Sequence, residues 1–492
     1  MAIKLGQPIL VGGVGLSFLL WMLQSLHDSF VHLGEFTVFG AIALGAGFWL
    51  FQQKTDKSGF LSSVSSPLNR ETVEGAIAQA EDVINQLEAE NHAVKAGLRD
   101  RVPQLAAELD RQDLRLAVTG GKAVGKTTLI KVLSSWGQQQ QKISLKETPA
   151  LFVGSEAGLE AENYAKELAI ASDLVLFLTT GDLTEPEFQT IKQLVAANQR
   201  LILTLNKQDQ YLPEERSTVL QQLRHRLQGV VKEEDVVAIA SSPNPIKVRQ
   251  HQSDGAIQEW METPNPEIAT LTQIASKILN RESQQLVWAT TWRAAIALKA
   301  EAKTALNEVR SDRAFPVIER YQWIAAAAAF ANPVPALDLL ATAAINAQMV
   351  VDLGAIYQQK FSLQQAQTVA GTMGSLMLKL GLVELSTQTI GGVLKSNAIT
   401  FVAGGAVQGV SAAYLTRLAG MSLIEYFQAQ DVSTTSESGT SLNLDKLGQT
   451  LQNVFQQNQR MAFLQSFVKQ AVGYLLPRSQ TVAIADKETA AI

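Results

Sequence analysis

Residues 116–133 read LAVTGGKAVGKTTLIKVL. An apolar run with strand character, LRLAVT, leads into the turn. A helix-forming run, KTTLIKVLSSW, leaves it and ends at Gly137. Between them lie Gly120, Gly121, Lys122, Ala123, Val124, Gly125, Lys126 and Thr127, a strand–turn–helix unit whose turn is rich in glycine. That unit recurs where a parallel sheet meets crossover helices, and it fixes the reading of the middle third of the chain.

The spacing G-x-x-x-x-G-K-T is that of a phosphate-binding loop, with strand before and helix after. Glycines let backbone N–H groups from Gly120 to Thr128 wrap phosphates, and the helix N-terminus adds partial positive charge. Lys126 is expected to neutralise the β- and γ-phosphates, and the Thr127 hydroxyl to ligate Mg2+.

From about Asp113 to Asn280, strand-like runs (LRLAVTG, ALFVG, DLVLFLTT, RLILTLN, VVAIAS) alternate with helical stretches. The expected fold is an α/β domain with a mostly parallel sheet and helices on both faces. After RLILTL stand Asn206, Lys207, Gln208 and Asp209. This N-K-x-D run, in order after the phosphate loop, resembles the guanine-nucleotide-binding superfamily. The resemblance implies GTP or GDP as ligand. It has Asp209 accept from two guanine N–H groups, Asn206 hold the ring and its loop, and the Lys207 stem lie against the base. The end of VVAIASSP resembles the fifth motif of that fold, with backbone amides around Ser241 and Ser242 near the guanine oxygen. ASDLVLFLTTGDLTEPE, residues 171–187, is similar to the fourth strand and loop of Era-like GTPases. The resemblance covers residues 114–242.

The chain departs from that pattern after the third expected strand. Most such proteins carry D-x-x-G there, and the nearest fit is Ser155, Glu156, Ala157 and Gly158, with serine in the aspartate's place. Leu159 follows, as in Era-like and dynamin-like GTPases with an apolar residue at that point. The first switch is trimmed to GQQQQKISLKETPALFVG, where Thr148 is either the magnesium-sensing threonine or a plain strand residue. Thr148, Ser155 and Glu156 are the candidates for catalysis. The expectation is firm binding of GTP and GDP with slow or partner-dependent hydrolysis.

The chain has 492 residues, of which 46% are hydrophobic and only 18% charged, a balance leaning toward membrane contact. Its net charge of −5 argues against a nucleic-acid-coating protein. With no cysteine and five scattered histidines, thiolate chemistry is excluded and a histidine metal site disfavoured.

Two apolar runs, Pro8–Leu23 and Thr37–Phe51, open the chain, and no lysine or arginine stands between Lys4 and Lys54. A transmembrane hairpin over 1–52, both ends cytoplasmic, is expected; a cleaved signal or a buried helix pair are the alternatives. Residues 53–112 form an amphipathic linker with one helix over Glu71–Leu98, seamed by Val73, Ile77, Ala80, Ile84 and Leu87. The nucleotide domain occupies 113–280.

A helical domain follows over 281–430, a Ser/Thr-rich linker over 431–446, and a last helix and tail over 447–492. Arg310–Tyr357 resembles the helical domain of unknown function found after GTPase domains in bacterial membrane-associated proteins. The uncharged run Ser396–Thr416 is long enough to span a bilayer or to be a buried bundle helix.

Together these imply an integral membrane protein whose nucleotide domain faces the cytoplasm. It would act as a GTPase switch toward a bilayer or a protein effector. A non-hydrolysing scaffold and a self-assembling, dynamin-like membrane remodeller are the competing readings.

Overall fold

The structure, a computed structural model, describes residues 68–90, 97–139, 143–154, 156–251, 257–331, 335–396, 405–430, 443–458 and 461–475. The apolar runs of 8–51 lie outside the described residues, as does Ser155. The chain divides into two compact units, one of Met1–Asp82 with Lys95–Glu301, the other of Val83–Val94 with Ala302–Ile492.

Helix α1 (Arg70–Glu90) starts where the Asn69 side chain accepts from the Thr72 amide at 2.8 Å, and its seam from Val73 to Leu87 is buried within the chain. A short helix α2 (Arg101–Glu108) precedes the sheet.

The first unit is built on a five-stranded sheet: β1 (Leu114–Gly120), β2 (Ile143–Glu147), β3 (Leu174–Thr179), β4 (Arg200–Leu205) and β5 (Val236–Ala238), in the order β2-β1-β3-β4-β5. Every pairing is parallel, with Leu116 opposite Leu174 and Leu176 opposite Ile202. The central strand β3 is buried along its whole length, as a strand covered on both faces must be.

Alternation along the strands splits the core in two. Leu116, Val118, Leu176, Leu178 and Ile202 meet helix α3 (Lys126–Gln139) and the first part of the long helix α7 (Ala269–Ala331) on one face. Ala117, Val175, Phe177, Leu203 and Leu205 meet α4 (Glu156–Ile170), α5 (Glu185–Ala196) and α6 (Pro213–Arg226) on the other. Helices therefore cover both faces, as expected.

One strand differs from expectation. ALFVG forms no strand; the strand beside β1 is ISLKE. Pro149 has no N–H for a ladder, and Phe152 sits at φ +63, which turns the chain away. Ile143–Glu147 alternates instead and fits an edge with one half-buried face. Between β5 and α7 a two-stranded antiparallel hairpin, β6 (Ile246–His251) and β7 (Ile257–Glu262), stands on its own, with every residue of β7 exposed.

The second unit is helical: α8 (Pro335–Ile356), α9 (Leu363–Lys379), α10 (Leu382–Ser396), α11 (Gly405–Ala429), α12 (Leu444–Gln457) and α13 (Met461–Leu475) follow α7. Its core gathers Ile318, Leu353, Met373, Ile390, Tyr414, Leu423, Leu451 and Phe467. The described part of the Ser396–Thr416 run divides between the end of α10 and the start of α11, where Val410, Ala413, Tyr414 and Thr416 are buried. Among the described residues no single helix is long and apolar enough to cross a membrane; α9 and α10, bent by 69°, pass that test only as a pair.

Candidate functional site

The site lies at the carboxyl ends of β1, β3, β4 and β5, where an open parallel sheet presents its loops. The turn after β1 needs two glycines for steric reasons. Gly120 has φ +145, and a methyl there would overlap the Leu178 carbonyl of β3; Gly125 has φ +95, and a methyl there would overlap the Asn206 amide. Ala123 between them also holds a left-handed backbone, φ 61, a cost of the kind that clusters at binding loops.

Lys126, at the start of α3, folds back over the turn. Its Nζ donates to the carbonyls of Gly120 at 3.1 Å and Gly121 at 2.8 Å, and the residue is buried. Burial lowers its pKa, and the Glu147 carboxylate pulls the other way. A desolvated ammonium held only by neutral carbonyls is poised to gain from an anion. Val124 is buried, Gly121, Gly125 and Thr128 are half-buried, and Lys122, Ala123 and Thr127 are exposed at the mouth.

The base end is tied to this loop by direct bonds. Asn206, wholly buried at the tip of β4, donates from Nδ2 to the Val124 carbonyl at 2.8 Å and to Ser241 Oγ at 2.9 Å, and accepts from the Ser241 amide at 3.0 Å. Lys207, at φ 61, sends its Nζ to the Ala123 carbonyl at 2.9 Å. Asp209 Oδ2 accepts from the Asn244 amide at 3.0 Å, whereas its Oδ1 is buried with no hydrogen-bond partner. A carboxylate oriented by one bond and keeping a buried, bare oxygen fits a ligand that brings N–H donors. Ser241 is buried and Ser242 exposed beside it.

Glu147 is a candidate site residue that sequence reasoning missed. It ends β2, next to β1, and its Oε1 accepts from the Thr127 hydroxyl at 2.7 Å. Two hard oxygen donors at the mouth of the loop match what Mg2+ takes from a protein in nucleotide sites. The signal was the run Lys146-Glu147-Thr148-Pro149: an acidic residue closing an alternating strand before a proline. Thr148 is itself buried, with its amide on the Val118 carbonyl at 3.0 Å and its hydroxyl 2.9 Å from Thr119 Oγ1. Glu156 opens α4, and Gly158 is buried in its first turn.

No curated protein matches this chain. Among solved structures it is similar to the LeoA bacterial dynamin GTPase from ETEC, at 10% identity and TM-score 0.23 over 82% of this chain and 98% of that one. It is also similar to a chain of an oligomerised bacterial dynamin pair, described as providing a mechanism for the long-range sensing and tethering of membranes. There the identity is 9% and the TM-score 0.23, over 90% of this chain and 85% of that one. Residues 297–460 match the family described as Domain of unknown function (DUF697).

Proposed function

We propose that this chain binds GTP and GDP with Mg2+, hydrolyses GTP slowly, and uses the nucleotide state to reposition its helical region at a membrane or against a protein effector. The observation that carries the reading is the bond from Asn206 to the Val124 carbonyl, beside an Asp209 oxygen that is buried and unpartnered. That bond supports reading the phosphate loop and the base motif as parts of one site. Backbone amides of Gly120–Thr128 and the Lys126 ammonium take the phosphates, and Asp209 Oδ1 takes guanine N–H donors. Lys207 and the amides near Ser241 and Ser242 frame the base.

Thr127 and Glu147 would hold Mg2+. The ion, when bound, supplies neutralisation of charge on the phosphate oxygens. Residues 113–280 are the proposed nucleotide domain. The apolar runs within 1–52 are the proposed anchor, placing that domain on the cytoplasmic side.

Calorimetry of the purified full-length chain with GTP, GDP and ATP in Mg2+ tests the reading. Guanine nucleotides should bind in the micromolar range or tighter, and Lys126→Ala should remove the binding. ATP binding as well as GTP, or neither binding, would sink it.

One observation favours a non-hydrolysing scaffold as the second reading. The Thr148 hydroxyl is buried, with the Thr119 hydroxyl at 2.9 Å and the Pro149 carbonyl at 3.1 Å as its partners. Single-turnover hydrolysis well above the buffer rate, removed by Lys126→Ala, would exclude the scaffold.

A further inference from the structure

The segment Asn206–Asp209 is gripped at each of its polar side chains. Gln208 lies between Lys207 and Asp209, and its side chain bonds outside the run. Its amide donates to the Ile239 carbonyl at 3.0 Å, and its Nε2 donates to Glu267 Oε2 at 2.8 Å. Glu267 stands just ahead of α7, well outside the N-K-x-D run. It does not hang free. Its amide donates to the Ala240 carbonyl at 2.9 Å and its carbonyl accepts from the Ala240 amide at 3.1 Å, an isolated antiparallel bridge.

This bridge closes an excursion of the chain. Between Ala240 and Glu267 the backbone supplies Ser241 and Asn244, the partners of Asn206 and Asp209, and then runs out through the exposed β6–β7 hairpin. A lone two-stranded hairpin is marginally stable in water. Its return leg is pinned at Glu267, and that same residue holds Gln208. Because Lys207 is already left-handed at φ 61, the direction of the following two residues depends on where Gln208 is fixed. Gln208 is buried, and the bond to Glu267 fixes its side chain.

We infer that Glu267 is a positioning residue for base selection: through Gln208 it aims the Asp209 carboxylate at a purine bearing an exocyclic 2-amino group. The inference rests on the guanine reading above. Glu267 touches neither base nor phosphate in this role; it acts by holding the residue next to the one that does.

The test is calorimetry of the full-length chain with GDP and with IDP, whose base lacks the 2-amino group. Wild type should prefer GDP. Glu267→Ala should cut the GDP-to-IDP preference by about fivefold, the factor expected from losing one ordinary hydrogen bond. Glu267→Gln, which keeps an oxygen for Gln208, should retain the preference. Gln208→Met should reproduce the loss, and adding Glu267→Ala to it should lower the preference no further. Should Glu267→Ala not fold, the pair Glu267→Gln and Gln208→Met carries the comparison.

An unchanged preference in Glu267→Ala or Gln208→Met overturns the inference, as does an equal loss in Glu267→Gln. Those results leave GDP binding by wild type intact. A wild type that does not prefer GDP to ADP fails the guanine reading itself and takes this inference with it.

Discussion

Single residues set the geometry of the proposed base site. Gly125 is confined twice over, by its positive φ and by the Asn206 amide that a methyl would strike. Gly125→Ala must either break the Asn206–Val124 bond or shift the turn. We expect it to weaken GDP binding about tenfold or more, since strain of this kind costs about 1–3 kcal/mol, and calorimetry beside a thermal melt would read it. Asp209→Asn removes the negative charge from the carboxylate that the proposed function sets against two guanine N–H donors. Hydrogen bonds to a charged group are worth about 1.5–3 kcal/mol each, so GTP affinity should fall on the order of a hundredfold while the melting temperature stays near wild type. A small loss would mean that the buried oxygen of Asp209 faces something other than a base.

At the scale of elements, β2 and α7 matter most. The edge strand β2 delivers Glu147 to Thr127, so Glu147→Gln should leave nucleotide affinity without metal nearly intact while shrinking the gain that Mg2+ brings. Titrating fluorescent GDP with and without Mg2+ separates the two. Helix α7 is clasped to the opposite end of the sheet. Arg293, buried there, donates to the carbonyls of Ile170 at 3.0 Å, Asn198 at 2.8 Å and Ser172 at 2.9 Å, the turns that close α4 and α5. Burial lowers its pKa to about 10, and nearby Asp173 offsets this only in part. Asp173 in turn accepts from Arg111, from the Arg115 amide and from the Thr290 hydroxyl. Arg293→Met removes the donor to the half-buried carbonyls of Ile170 and Asn198 and one of the donors to Ser172, and should lower stability by about 3 kcal/mol, read as a fall in the urea midpoint at unchanged slope.

For the whole molecule, the prediction concerns the bilayer. The apolar runs of 8–51 carry no lysine or arginine, and basic residues resume at Lys54 and Lys57. The full chain should stay with membranes through alkaline carbonate extraction, and a chain lacking residues 1–52 should be released. Retention of the shortened chain would shift the anchor to the helical region, where α9 and α10 are the described pair with a suitable length and composition. Repeating the extraction with GTP and with GDP tests whether nucleotide changes the hold.

Local chemistry was readable before any fold. The turn from Gly120 to Thr127 and the run from Asn206 to Asp209 stand out because the proposed phosphate and base contacts would need particular residue types at short, fixed spacing. A mostly parallel sheet covered by helices on both faces followed from apolar runs alternating with helices, since a strand covered on both faces must be apolar throughout; the strand order did not. What depended on tertiary structure was everything set by pairing across the chain. Whether ISLKE or ALFVG lies beside β1 is decided by Pro149, the turn at Phe152 and the fit of an alternating strand to an edge. That choice alone puts Glu147 next to Thr127, twenty residues from its partner in sequence. Glu267 reaches Gln208 across fifty-nine residues, and no local pattern marks it. Arg293 looks like any polar residue of a long helix until its carbonyl partners arrive from two turns of another region. Short-range spacing encodes motifs; long-range contacts arise only when burial of the two apolar faces brings distant segments together.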